Sequence, residues 1–276
     1  MQGVDARELA KLAGEPFNLA EIGAALKKHK PALFFVTHGE SSTGGLQGLD
    51  GIGPLCASFD CLFAVDTIAT LCGVPLQADA LGIDAIYTGS QIVLSIPLGL
   101  APISFSEKAV AKIRGRKSPP ISFSLDINWL GEYWNCFEGE GEDCVYHHTG
   151  PINLMYALRE GLAILAEEGL ETCWERHRIC AEKLYQGLEE IGLECFIAAP
   201  GARTPTVTTI KVPEGVDWKA VTEYAMEKYK VVIAGGLGPT AGKVWRIGHM
   251  CQNAYVDKVE FTLRVLEEAI NHVKAK

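Results

Sequence analysis

Short runs of consecutive apolar residues alternate with amphipathic stretches along the first part of the chain. The apolar runs of strand length lie at residues 31–37, 62–66, 83–87 and 101–105. Strands that are apolar throughout, rather than at every second position, are typical of a parallel sheet covered by helices on both faces. Asn18 predicts the N-cap of a helix that extends to about residue 28, and a short helix is predicted over residues 52–59.

The second part of the chain has a different order of elements. Residues 151–192 have a helical pattern with a predicted break at Gly169. The pattern then predicts strands at residues 194–197, 206–212, 231–234 and 243–247, and helices at residues 218–228 and 256–274. We therefore expect a large α/β domain over residues 1–150, followed over 151–276 by a bridging helix and a small α+β domain.

Composition excludes several classes of protein. The chain has 276 residues, a formal net charge of −9 and 48% hydrophobic residues, which is typical of a globular protein and not of a disordered or fibrous one. The acidic balance argues against nucleic acid as the main partner. The most basic segment, residues 108–117, contains five Lys or Arg residues and is interpreted as a solvated helix end.

The chain shows no pattern for membrane insertion or targeting. Its longest apolar runs are shorter than the ~18 residues that a membrane span needs, and residues 1–7 contain no signal-peptide core. The C-terminal residues do not form a peroxisomal signal of the Ser-Lys-Leu type. The nine cysteines are scattered and never spaced as Cys-x-x-Cys, which predicts reduced thiols. Together these features predict an intracellular, cytoplasmic protein without a membrane partner.

The carboxyl ends of the predicted parallel strands are the expected ligand site. The residues there are the polar, Gly-rich loop 38–45, Asp66 and the segment 88–91. A carboxylate at a strand end is a natural partner for a cationic ring nitrogen. Aspartate is also a common turn residue, so the residues alone leave both interpretations of Asp66 open.

Other motifs fail on spacing. Residues 235–243 resemble a phosphate loop, but Leu237 stands where the first glycine is required and Val244 follows Lys243. His38 and Glu40 with Cys56 and Cys61 lack the Pro-Cys-x-x-Cys spacing of a zinc deaminase, and the chain has no Gly-x-Ser-x-Gly elbow.

An adjacent histidine pair, His147 and His148, is a further candidate metal ligand. Neighbouring side chains diverge on a strand or turn, so we expect the two rings to point apart and to have a structural or substrate-loop role. No metal site is predicted.

Several segments taken together closely resemble the alanine–glyoxylate (serine–pyruvate) aminotransferases, which are class V aminotransferases. The segments are Thr-His-Gly-Glu-Ser-Ser-Thr-Gly at 37–44, Val-Asp at 65–66, Tyr-Thr-Gly-Ser-Gln at 87–91, Tyr-His-His-Thr at 146–149, Pro-Thr-Val-Thr-Thr at 205–209, Gly-Gly-Leu-Gly-Pro at 235–239 and Arg-Ile-Gly at 246–248. They occur in family order and spacing, and the resemblance covers essentially the whole chain. It implies the type I fold of enzymes that depend on pyridoxal 5′-phosphate (PLP), transamination between small amino and keto acids, and a dimer.

The resemblance also implies roles for individual residues. Asp66 is similar to the carboxylate that pairs with the PLP pyridine nitrogen, and Ser41 and Gln91 to groups that contact the cofactor. Tyr146 and Thr149 resemble the pair that reaches the cofactor phosphate of the partner subunit. Arg246 resembles the clamp for the substrate carboxylate, a task that suits the planar guanidinium group.

The chain departs from the family pattern at the Schiff-base lysine, whose position is occupied by Ile92. Isoleucine has no amine, so it cannot bind the cofactor covalently or carry a proton between substrate and cofactor. The residues that follow, 93–100, are also more apolar than the family pattern. We therefore expect PLP binding to be weak or absent.

The chain is also shorter than the family. The resemblance implies that the absent portion holds the phosphate-binding turn and part of the large-domain sheet, so we expect uncovered apolar surface and an unpaired strand edge. The leading hypothesis is a homologue without transaminase activity. The alternatives are a non-catalytic partner of an intact paralogue and a truncated form of an active transaminase.

Overall fold

A computed structural model describes residues 4–136 and 145–275 of the chain. The helices are α1 (Leu19–His29), α2 (Ile52–Ala57), α3 (Glu107–Arg114), α4 (Ile127–Trp134), α5 (Ile152–Glu168), α6 (Leu170–Glu190), α7 (Trp218–Tyr229) and α8 (Val256–Lys274). The strands are β1 (Leu33–Thr37), β2 (Gly39–Glu40), β3 (Gly45–Leu46), β4 (Leu62–Asp66), β5 (Ala85–Tyr87), β6 (Ile103–Phe105), β7 (Val207–Lys211), β8 (Ala234–Gly235) and β9 (Val244–Gly248).

The large sheet has the strand order β1-β4-β5-β6. β1, β4 and β5 are parallel, and β6 pairs with β5 in the antiparallel direction. This arrangement confirms the predicted α/β class with a mostly parallel sheet. Three of its strands begin two residues later than predicted, since β1 begins at Leu33, β5 at Ala85 and β6 at Ile103.

Only one face of this sheet is covered by the helices of the described residues. Val36, Phe63 and Val65 point to that face and pack with residues of α1 and α2 in one core cluster. On the opposite face, Phe35 is 49% exposed and Ile103 is 51% exposed. The prediction of helices on both faces is therefore wrong for this part of the chain. Continuous apolar strands indicate that both faces of a sheet are buried, but not whether helices of the same chain bury them.

The sheet face that carries Leu33, Phe35 and Ile103 is called the open face below. β1 is the terminal strand of the described sheet order, so its outer edge has no strand partner among the described residues. These features agree with the expectation of uncovered apolar surface and an unpaired strand edge.

Helix α1 begins where its capping residues predict. The Asn18 side chain accepts a hydrogen bond from the Glu21 N–H, and the Glu21 carboxylate accepts one from the Asn18 N–H at 2.8 Å. This capping box satisfies two backbone donors at the N-terminus of the helix. Ile22 and Leu26, four positions apart on one face of α1, are buried against the sheet.

The second part of the chain confirms the predicted helical break. α5 and α6 meet at Gly169, whose φ of +84° is accessible to glycine at little cost. The antiparallel sheet β7-β9-β8 packs against α6, α7 and α8 around the fully buried Trp245. This is the predicted small α+β unit.

Two strands predicted in this unit are not formed as expected. Residues 194–197 form no strand, since only Cys195 makes an isolated bridge, to Ile210. The strand predicted at 231–234 is reduced to β8 at Ala234–Gly235. In both places the ladder stops after one or two residue pairs, which apolar character alone does not reveal.

Further predictions have mixed outcomes. The basic segment 108–117 lies largely in α3, as expected, whereas α4 had no counterpart in the sequence-based interpretation. The eight cysteines of the described ranges are free thiols, and Cys144 lies outside the described residues. Within residues 4–136 and 145–275, no helix combines the length and apolar character required to cross a bilayer.

Candidate active site

The carboxyl ends of the parallel strands meet at one edge of the large sheet. Thr37, Asp66 and Tyr87 lie side by side in the registers of β1, β4 and β5. The loops that follow these strands carry Ser41 and Gln91. The fold thus places the predicted cofactor residues Ser41, Asp66 and Gln91 at the same end of the sheet, as expected for parallel strands.

Asp66 is a half-buried carboxylate with two hydrogen-bond donors. The backbone N–H of Ile68 donates to its Oδ1 at 2.8 Å, and the hydroxyl of Tyr87 donates to its Oδ2 at 2.7 Å. The first bond is that of a turn residue, but it uses only part of the capacity of a carboxylate, which has about four lone-pair sites. The turn interpretation and the ligand interpretation of Asp66 are therefore compatible.

Tyr87 was not singled out as a site residue from the sequence. Burial, together with the hydrogen bond to the neighbouring Asp66 carboxylate, raises the pKa of Tyr87 to about 12. Its ring also stacks on Phe35, with ring centroids 6.3 Å apart. The usable signal was the position of a tyrosine at the end of the strand next to the one that ends in Asp66.

The polar loop after β1 folds back through the short β2–β3 pair, which brings Ser41 to its exposed tip. Inside the loop, the Glu40 carboxylate accepts hydrogen bonds from the backbone and the hydroxyl of Ser42 at 2.9 and 2.5 Å. Burial opposes ionisation of Glu40, but the hydrogen bonds from Ser42 and Thr43 outweigh it and lower its pKa. The loop is also tied to the sheet, because the His38 N–H donates to the Asp66 carbonyl at 2.9 Å.

The segment that carries Gln91 and Ile92 is anchored by Ser90. The buried Ser90 hydroxyl donates to the Pro97 carbonyl at 2.8 Å, and the Ser90 N–H donates to the Leu100 carbonyl at 3.0 Å. Gln91 is exposed and Ile92 is half-buried, whereas three apolar residues beyond them are buried: Val93, Leu94 and Ile96. The segment is thus a closed apolar turn whose first two side chains are accessible.

Arg246 connects the small sheet to the loop after β1. From β9, its Nε donates to the Gly235 carbonyl at 2.8 Å, and its Nη1 donates to the Ser41 carbonyl at 3.2 Å. A guanidinium group has five N–H donors, so these two bonds leave capacity for a carboxylate ligand. The structure therefore brings the predicted substrate clamp next to one of the predicted cofactor residues.

Tyr146 and Thr149 form a separate feature before α5. Their side-chain oxygens are 2.6 Å apart, and Tyr146 is 70% exposed. The contacts described for this pair do not include Ser41, Asp66 or Gln91. Among the contacts described for this chain, none joins the predicted phosphate-binding pair to the other predicted cofactor residues.

The two adjacent histidines do not diverge as expected. The Nδ1 atoms of His147 and His148 are 2.9 Å apart, and the His147 ring stacks on Phe123 at 4.3 Å. Residues 145–150 have no regular secondary structure, so the alternation of a strand does not apply. No group of three or more histidine, cysteine or acidic side chains in the described ranges has the geometry of a metal site.

The rejected phosphate-loop interpretation can be checked against the fold. A phosphate loop joins a strand to a helix, whereas residues 235–243 run from β8 through a single 3-10 turn, Gly238–Thr240, into strand β9. Cys56 and Cys61, the thiols of the rejected deaminase motif, are fully buried in the core beneath the large sheet.

Comparison with known proteins gives this arrangement a family. The model of the family "Aminotransferase class-V" matches residues 1–254. The chain belongs to the class V aminotransferases. It is 45% identical over 270 residues to the alanine–glyoxylate aminotransferase of Mus musculus, a match that covers 98% of this chain. The chain spans 64% of the length of that mouse protein.

Similar crystal structures support the same assignment. An alanine–glyoxylate aminotransferase from Nostoc sp. has a TM-score of 0.91 at 43% identity, with coverage of 97% of this chain and 69% of that chain. A ureidoglycine–glyoxylate aminotransferase from Bacillus subtilis has a TM-score of 0.89 at 37% identity, with coverage of 95% and 66%. The chain therefore has the type I fold of the PLP-dependent aminotransferases.

The residues present fit part of what PLP requires. Asp66 offers carboxylate lone pairs at the carboxyl end of the sheet, where a protonated ring nitrogen could be paired, and Ser41 and Gln91 lie on the adjoining loops. Ile92 offers no nitrogen for covalent attachment of the cofactor carbonyl. Asp66 thus has lone pairs for a ring nitrogen, and residue 92 has no group for covalent attachment.

Proposed function

We propose that this chain is a homologue of the alanine–glyoxylate aminotransferases that does not catalyse transamination as it stands. The observation that carries the proposal is Ile92, which occupies the position of the Schiff-base lysine in the family pattern. General acid–base catalysis alone contributes about 10²–10⁴-fold to the rate, and the loss of covalent attachment of the cofactor adds to that.

The surroundings of Ile92 support the proposal. Leu94 and Ile96 are buried in a cluster with Leu165 of α5, and a Cβ placed on Gly161 of the same helix would lie 2.5 Å from the Ile96 side chain. The segment is therefore packed as an apolar turn against a helix. Such a turn offers no polar partner to a charged ligand group, which would lose its water on lying against it.

Other residues of this chain would keep part of the ancestral binding capacity. PLP, when bound, supplies an electron sink for carbanion chemistry at an amino acid. Asp66 would pair with the ring nitrogen, and Ser41 and Gln91 would orient the ring. Arg246 would bind the carboxylate of a small amino or keto acid while its Nε remains bonded to Gly235.

A PLP titration of the purified chain, followed by borohydride reduction and mass spectrometry, tests the proposal. An Ile92→Lys variant runs in parallel. We expect no reduced adduct in the native chain. An adduct in the variant alone means that the pocket is intact and that residue 92 silences it. An adduct on a specific lysine of the native chain, or alanine–glyoxylate transamination at the rate of an intact relative, contradicts the proposal.

A second candidate function is a non-catalytic partner of an intact paralogue. The observation that favours it is the exposed pair of Tyr146 and Thr149, whose hydroxyls are hydrogen-bonded to each other at 2.6 Å. Tyr146 and Thr149 would then contact the cofactor phosphate in the paralogue's site. Co-purification with a full-length relative that is lost in the Tyr146→Ala, Thr149→Ala double variant supports this function. Retention with Tyr156→Ala, an equally exposed tyrosine, is the control.

The proposal includes an intracellular, cytoplasmic location. The free thiols of the described ranges, several of which are fully buried, support a reducing compartment. Fractionation of cells that produce the untagged protein tests this part, and recovery in peroxisomes or in the secreted fraction contradicts it.

A further inference from the structure

Tyr87 is a partly buried tyrosine at the carboxyl end of β5, and its phenol holds Asp66 from the side. The hydroxyl donates to Asp66 Oδ2 at 2.7 Å, while the Ile68 N–H donates to Oδ1 at 2.8 Å. Both oxygens of the carboxylate are thereby fixed by separate donors, one from a side chain and one from the backbone. A carboxylate held at both oxygens cannot rotate freely about its Cβ–Cγ bond.

Tyr87 is itself held at its backbone and at its ring. The Thr67 N–H and hydroxyl both donate to the Tyr87 carbonyl, at 2.9 and 2.8 Å, which fixes the backbone at the end of β5. On the open face, the ring of Tyr87 stacks on Phe35 with an interplanar angle of 9°. These contacts span three adjacent strands, so the position of the phenol follows from the register of the sheet.

The direction of the hydrogen bond is also fixed. Burial and the adjacent Asp66 carboxylate raise the pKa of Tyr87 to about 12, so the phenol is protonated throughout the physiological range. It therefore donates to Asp66 and does not compete as an anion for a cationic ligand. The carboxylate keeps lone pairs for a third donor.

We propose that Tyr87 is a positioning residue that orients the Asp66 carboxylate toward the protonated ring nitrogen of a pyridine-type ligand at this end of the sheet. The proposal rests on the proposed function in assigning Asp66 to the ring nitrogen. It adds that the orientation of Asp66 depends on a side chain from the neighbouring strand. A carboxylate that is already oriented loses little conformational entropy when a ligand binds. Removal of the group that orients it should therefore lower the affinity for the ligand.

The test uses 4′-deoxypyridoxine 5′-phosphate, a pyridine phosphate without a carbonyl group. Its binding does not require an amine at residue 92, so the result is independent of the borohydride experiment. Isothermal titration calorimetry at neutral pH compares the native chain with Tyr87→Phe, Asp66→Asn and, as a control, Tyr156→Phe. We expect Tyr87→Phe to weaken binding by about 10-fold or more, since a hydrogen bond to a charged group is lost. The control should bind as the native chain does.

A second readout separates positioning from a merely structural role. With the probe labelled at the ring nitrogen, its ¹⁵N shift reports protonation of the bound pyridine. We expect the protonated signal in the native chain, a loss of that signal in Asp66→Asn and an intermediate shift in Tyr87→Phe. Phe35→Leu, which keeps the phenol and removes its stacking partner, should weaken binding in the same direction by less. Native affinity and an unchanged shift in Tyr87→Phe overturn the proposal, and so does a native chain that fails to bind the probe.

Discussion

The ion pair between Arg176 and Glu168 provides the sharpest stability prediction. Arg176 Nε and Nη2 donate to the two carboxylate oxygens of Glu168 at 2.6 and 2.8 Å. Its Nη1 donates to the carbonyls of Cys251 and Ala254 at 2.6 and 3.1 Å, so one side chain of α6 holds the loop between β9 and α8. The two charged side chains are only 14% and 21% exposed.

The magnitude follows from what Arg176→Met leaves behind. The substitution strands the Glu168 carboxylate and two backbone carbonyls in a poorly hydrated position. Removal of one partner of a fully buried pair costs about 3–5 kcal/mol, because the remaining charge is uncompensated, so this partly buried pair should cost about 2–4 kcal/mol. A matched control lies two residues further along the helix. Arg178 contacts Glu175 and Glu182 at 2.6 and 2.5 Å but is 51% exposed, so Arg178→Met should cost about 0–1 kcal/mol.

Urea unfolding followed by circular dichroism measures both losses. The ion pairs of Arg178 are exposed and should weaken further in high salt, whereas the loss at Arg176 should depend little on salt. A double-mutant cycle with Glu168→Gln isolates the coupling of the buried pair. Equal losses for Arg176→Met and Arg178→Met, or a loss below about 1 kcal/mol at Arg176, would refute the reasoning that burial decides the magnitude.

The remaining predictions concern packing and titration. Gly53→Ala should lower the free energy of unfolding by about 1–3 kcal/mol, since its Cβ would lie 2.0 Å from a backbone carbonyl oxygen. As a control in the same urea assay, Gly48→Ala should be near neutral, because its Cβ would meet nothing within 4 Å. Asp66→Asn should lower the pKa of Tyr87 from about 12, measured by ultraviolet difference titration with Tyr87→Phe as blank. Burial lowers the pKa of His38 to about 4. The free energy of unfolding present at neutral pH should therefore fall by about 1.4 kcal/mol per pH unit as the pH drops from about 6.5 towards 4. His38→Gln should reduce that slope in urea unfolding measured across this pH range.

The parts of the fold that sequence reasoning predicted are those with local signals. The start of α1 is encoded by Asn18 and Glu21 within one turn, and the boundary of α5 and α6 by the single residue Gly169. α4 had a comparable signal that went unused, because the Asp126 side chain accepts a hydrogen bond from the Asn128 N–H at its N-terminus. A capping residue predicts where a helix begins only when the residues after it are also recognised as helical.

The incorrect predictions concern interactions between distant residues. Three of the residues 194–197 are apolar, as in a strand, but their pairing with β7 stops at the single bridge between Cys195 and Ile210. Uncovered apolar surface was expected, but the residues that form it could not be identified from the strands, because Phe35 has the same apolar character as the buried Phe63. Local propensity does not specify which tertiary surface will cover a side chain.

In the candidate site, too, local features were predictable from the sequence and contacts between distant residues were not. The position of Asp66 at a strand end follows from the apolar run that it ends, whereas its role as a ring-nitrogen partner is implied only by the family resemblance. The contacts that define its surroundings are non-local. Tyr87 reaches Asp66 through the pairing of β4 and β5, and Arg246 reaches the Ser41 carbonyl across 205 residues of sequence. Such contacts depend on strand register and on the packing of the small sheet against the loop after β1.

The change at residue 92 is separable from the fold that surrounds it. Ile92 is half-buried, whereas the packing of its segment is provided by Leu94 and Ile96 against α5 and by the Ser90 hydroxyl against Pro97. A lysine at residue 92 could place its long stem along the apolar turn and its amine in water. We therefore expect Ile92→Lys to leave the unfolding midpoint nearly unchanged while it changes the chemistry available to a bound cofactor. The proposed loss of activity, which rests on one accessible side chain, is then consistent with a native fold that keeps Asp66, Tyr87 and Arg246 in place.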